Sequence, residues 1–81
     1  MDILDAAVRV LREEAGPLHW TVIQDLALKR GYLDPFVQTD IRKRLQRALS
    51  AAVRSGEIAR VGTGVYELPP SSGRTSEPQR R

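Results

Sequence analysis

The sequence contains no cysteine and only one histidine, His19. Without thiols there is no disulfide framework, no thiolate metal site and no sulfur nucleophile. A single imidazole cannot build a multi-histidine zinc site. Aromatic side chains are scarce: Trp20, Tyr32, Phe36 and Tyr66 are the whole set, too few for a visible aromatic cage or flipped-base pocket. Apolar runs are only a few residues long, far short of the ~20 that span a bilayer. Met1-Asp2-Ile3-Leu4-Asp5 lacks the basic start and apolar block of a secretory signal. The carboxylates are scattered, with no acid–base pair, and the glycines fit no phosphate-binding loop. These absences lead to the expectation of a soluble, cytoplasmic protein with no cofactor and no metal that binds rather than catalyses.

What is present is an uneven distribution of charge. Thirteen Lys and Arg oppose ten Asp and Glu in 81 residues, a net +3 that says little by itself. Residues 1–34 hold four basic and six acidic side chains, a balance of −2. Residues 35–68 hold six basic and three acidic, +3, and residues 69–81 add +2. The length is that of one small domain. Its last thirteen residues carry no large apolar side chain and cannot offset the entropy of ordering, so a disordered tail or linker is expected over 69–81 and a folded unit over 1–68.

Within that unit Ile3, Leu4, Ala7, Val8, Val10 and Leu11 share one face at helical spacing, with Asp2 as the expected cap and Gly16-Pro17 as the stop. Leu18, His19 and Trp20 form a short β-leaning segment. Thr21-x-x-Gln24 is a capping-box pattern that opens a second helix with Val22, Ile23, Leu26 and Ala27 inward, closed by Lys29-Arg30-Gly31. After a loop, a third helix is expected over 39–55, with Ile41, Leu45, Ala48, Leu49, Ala52 and Val53 facing the core and Ser55-Gly56 ending it. Strands over 57–61 and 65–68 flank Gly62-Thr63-Gly64, a three-residue hairpin loop. Helix, short strand, helix, helix, hairpin is the order of a winged helix-turn-helix: an α+β fold, mainly α.

On the third helix, the side opposite the apolar face holds Lys43, Arg47, Ser50 and Arg54 in one stripe, with Arg42, Arg44 and Gln46 beside it. At the α-helical rise the stripe runs about 16 Å. Between Ile41 and Gly56 there are five basic residues and no acid. The major groove of B-DNA admits a helix, and Lys or Arg donates there to guanine or to phosphate. Thr39 would lead the helix in, and Arg60 and Thr63 would reach from the hairpin. Double-stranded DNA is therefore the expected partner. An ordinary solvated face is the competing reading, although such faces usually mix signs. The hairpin glycines would equally serve the turn alone, and Arg74, Arg80 and Arg81 either touch phosphate or only solubilise. Trp20, Phe36 and Tyr66 are read as packing residues, with His19 at a strand end.

Three segments, Ile3-Leu4-Asp5-Ala6-Ala7-x-x-Val10-Leu11, Gly16-Pro17-Leu18-His19 and Arg60-Val61-Gly62-x-Gly64-Val65-Tyr66-Glu67-Leu68, together resemble the HARE-HTH domain. This is a winged helix found in a homeobox protein, Asx-like chromatin proteins and restriction endonucleases. The resemblance covers residues 2–68. It implies a DNA-binding module in a transcription factor or in a restriction or modified-DNA-sensing system, joined in some relatives to a catalytic domain that here would lie beyond Arg81. Relatives also include the N-terminal domain of the RNA polymerase delta subunit. They imply the alternative: a module that docks on RNA polymerase or an attached enzyme without touching DNA. The resemblance supplies no base-contacting residues, so the site residues above rest on the helical stripe.

Overall fold

Helix α1 spans Ile3–Glu14 in the computed structural model, which describes residues 2–69. The tail anticipated over 69–81 lies outside the described residues from position 70 onward. The apolar spacing of α1 buries Ile3, Ala6, Ala7, Val10 and Leu11. Asp2 occupies the cap position in extended backbone, but its side chain makes no capping bond. The stop is also shifted: Ala15, not Gly16, takes the left-handed conformation at φ 55°, with its N–H donating to the Leu11 carbonyl.

Strand β1 (Leu18–His19) leads straight into α2 (Trp20–Lys29), so Trp20 is helical. The expected capping box does not form. His19 is the cap: its Nδ1 accepts the Thr21 N–H at 3.3 Å and lies 2.8 Å from the Thr21 hydroxyl oxygen. Sheet pairing explains the shift. β1 is extended through residue 19, and the Trp20 N–H donates to the Gly64 carbonyl at 2.9 Å, so the helix starts one residue before Thr21. Ile23 and Ala27 are buried as expected, whereas Val22 is largely exposed. After α2 the chain turns through Gly31, and Leu33 enters the core.

Residues 34–37 form a tight turn. The Asp34 side chain accepts the Phe36 N–H at 2.9 Å, and its carbonyl accepts those of Val37 and Gln38. Phe36 does not pack as expected; it is 96% exposed. The turn is closed by its own hydrogen bonds, and Leu33 before it and Ile41 after it are the residues of this stretch that enter the core.

Helix α3 runs from Ile41 to Ser55, two residues shorter at its start than the sequence suggests. Asp40, left-handed at φ 52°, keeps Thr39 out of helical phase. Ile41, Leu45, Leu49 and Ala52 are buried, and Gly56 at φ 86° ends the helix where an L side chain would be strained. Strands β2 (Ala59–Gly62) and β3 (Val65–Glu67) follow, giving a three-stranded antiparallel sheet in the order β1-β3-β2. Arg60 faces Tyr66 and Gly62 faces Val65, so Val61 is an extra residue and the loop contracts to Thr63-Gly64.

Leu11, Val10, Ile23, Leu45, Leu49 and Ile58 are fully buried and come from all three helices and the approach to β2. Each contributes about 1.5–3 kcal/mol by leaving water. The arrangement is the expected winged helix-turn-helix. Outside the core, Arg30 ties the ends of α1 and α2 together, donating to Glu13 at 2.8 Å and Glu14 at 2.6 Å. Tyr32 donates its hydroxyl to Glu13, and the Arg9 guanidinium lies 5.0 Å over the Tyr32 ring. Among the described residues no helix is long and apolar enough to cross a membrane.

Candidate nucleic-acid interface

The burial of Ile41, Leu45, Leu49 and Ala52 fixes the roll of α3 and therefore what its other side presents. Lys43, Arg47, Ser50 and Arg54 are all exposed, as are Arg42 and Arg44, while Gln46 is half-buried on the flank. Thr39 is exposed but stands before the helix rather than in its first turn. Arg60 and Thr63 are exposed on the hairpin, and Arg60 Nε donates to the Gly62 carbonyl at 3.4 Å. The stripe and the hairpin meet at one place. Ser50, Val53 and Arg54 of α3, with Arg60 and Tyr66 of the sheet, line a shallow groove of about 230 Å³.

Electrostatics separate the two halves of the molecule. In the first half, Arg9 pairs with Glu13, Lys29 with Asp25, and Arg30 with both Glu13 and Glu14. The Tyr32 hydroxyl and then Arg30 hold the Glu13 carboxyl below its usual range, and Glu14 raises the Arg30 guanidinium. None of the five basic residues of α3 has a carboxylate partner within ion-pair distance among the described residues. Their charge is available to an external anion.

One basic residue is held by a neighbour. The Arg42 guanidinium lies 5.5 Å from the centre of the Trp20 ring, a cation–π contact that orients it against the start of α2. Trp20 is half-buried and packs on the core as anticipated, yet it also serves as a platform, which spacing along the chain could not indicate. The same corner fixes the hairpin tip. A Cβ on Gly64 would stand 2.8 Å from His19 Nε2 and 3.2 Å from Trp20 Cδ1. His19, Trp20, Arg42 and Gly64 thus join the starts of α2 and α3 to the turn of the wing. Among the described residues no group of three or more His, Asp or Glu side chains is placed to hold a metal ion.

No family model, curated protein or solved structure matches this chain.

Proposed function

We propose that this domain binds duplex DNA, seating α3 in the major groove and laying the β2–β3 hairpin against the flanking backbone. The observation that carries the reading is the run of five unpaired basic residues on an α3 face that contains no acid. A face that only has to be solvated usually mixes signs, as α1 does. Lys43 and Arg47, central in the stripe, donate to base edges. Arg42, Arg44 and Arg54 contact phosphates, Arg42 with its guanidinium already oriented by Trp20. Arg60 and Thr63 act from the wing, Thr39 stands where the helix enters the groove, and Gln46 and Ser50 lie beside the base-reading positions. The resemblance to HARE-HTH domains points the same way, towards transcription or a restriction or modified-DNA-sensing system.

Fluorescence anisotropy with a random duplex tests this. About five phosphate contacts predict a log–log salt slope near −4 to −5. Exchanging Lys43→Glu and Arg47→Glu together should abolish binding. Absence of binding at low salt, or an unchanged affinity in the double variant, overturns the proposal. The protein-docking reading would draw on the acidic first half, where Glu13, Glu14 and Asp25 are engaged in internal ion pairs. A polymerase or enzyme captured equally well after nuclease treatment would favour that reading.

A further inference from the structure

Phe36 and Val37 are 96% and 76% exposed, the most exposed large apolar side chains among the described residues. They do not trail from a slack loop. Pro35 limits the backbone, and three hydrogen bonds to Asp34 close the turn that carries them. A phenyl ring carried into water on a hydrogen-bonded turn is an informative exception to apolar burial, because its exposure costs what a contact would recover. The tip is acidic as well as apolar: Asp34 and Asp40 flank it, and neither forms an ion pair among the described residues. Two carboxylates disfavour a phosphate backbone as its partner and favour an apolar recess with a basic rim.

The chain carries such a recess itself. The groove between α3 and the wing has Val53 and Tyr66 as its apolar part, with Arg54 and Arg60 beside them. Its volume of about 230 Å³ compares with the roughly 150 Å³ cavity that accepts a benzene ring. The tip precedes the first turn of α3, whereas the groove lies along its last turns. The twelve-residue step from Ile41 to Val53 separates them by about 18 Å along the helix, so a chain cannot fill its own groove.

We infer that Phe36 of one copy seats in the Val53–Tyr66 groove of a second copy, with Asp34 and Asp40 facing Arg54 and Arg60. The two surfaces differ, so the contact is head-to-tail and leaves a free tip and a free groove at the ends of every open oligomer. It is small compared with a stable interface, which sets its dissociation constant on the order of 0.1–1 mM. Its existence does not depend on DNA binding. Because the groove includes Arg54 and Arg60, a copy whose groove is occupied has fewer cations to offer a duplex.

Sedimentation velocity of the full chain at low salt, without nucleic acid, tests the inference. The wild-type protein should associate with rising concentration, and high salt should weaken the association. Phe36→Ser, and separately Arg54→Glu with Arg60→Glu, should each lower the association constant about tenfold or more. All three positions are exposed, and circular dichroism checks that the fold is kept. The decisive sample is an equimolar mixture of the two variants. One retains an intact groove and the other an intact tip, so together they should form a dimer and nothing larger. A wild-type protein that stays monomeric to about 1 mM leaves the tip to some other partner and overturns the inference. So does unchanged association of Phe36→Ser, or a mixture that remains monomeric.

Discussion

Gln24 Oε1 is buried on α2 with no hydrogen-bond partner among the described residues. The capping box would have used this side chain, and the His19 cap leaves it without that role. An unmet buried acceptor costs about 1–3 kcal/mol. Gln24→Met keeps the shape and removes the polar atoms, so it should stabilise the domain by about 1 kcal/mol in urea titration; a loss of stability would show that the amide is satisfied in solution. Gly64 presents the opposite case. Its φ of 72° and the 2.8 Å approach of His19 Nε2 to a would-be Cβ leave no room for alanine. Gly64→Ala should destabilise by about 1–2 kcal/mol, with amide NMR shifts confined to the wing and the start of α2. In the core, Leu49→Ala should cost about 2–5 kcal/mol, because Leu49 is fully buried.

At the scale of elements, α1 ends on a left-handed residue with a Cβ, at φ 55° for Ala15. Ala15→Gly relieves that strain and should raise stability by about 0.5–1 kcal/mol, seen as a higher thermal midpoint. The elements also divide by how far they could be read along the chain. The cores of α1 and α3 were legible because a periodic apolar face is a local signal, and the α3 stripe followed from the same periodicity. The wing was legible through Gly62, Thr63 and Gly64, though the extra residue Val61 shortened its loop. The start of α2 was not legible, because pairing with β3 more than forty residues away decides it. The α3 start moved because Asp40 adopts a left-handed backbone, which Asp tolerates better than most residues but which its presence alone does not specify. In the candidate interface the stripe could be read directly. The stacking of Arg42 on Trp20, the groove shared by Arg54 and Arg60, and the exposure of Phe36 are tertiary facts without a local sequence signal.

For the whole molecule, the clamp between α1 and α2 sets the direction of its pH response. The hydrogen bond from Tyr32, and then Arg30, hold the Glu13 carboxyl below its ordinary value of 4.5. Its contribution to stability is complete above that value and is lost as pH falls through the lowered folded value. The same bond raises the Tyr32 hydroxyl above its ordinary 10.0, so that contribution is complete below 10.0 and is lost as pH rises through the folded value. Glu13→Gln should lower the neutral plateau of a stability–pH profile and so flatten its acid limb; an acid limb as steep as the wild type's would assign the response to other carboxylates.

The sheet adds a consequence for biosynthesis. β1 and β2 pair with β3 and not with each other, so the last strand of the described fold is the one both others require. On the ribosome, where chains grow at about 5–20 residues per second, all three helices are made before Tyr66 exists to meet Leu18. During that interval the basic helix is complete while the wing is absent and β1 has no partner. Release of β3 from the exit tunnel completes the sheet, so this domain closes only after all three of its helices have emerged.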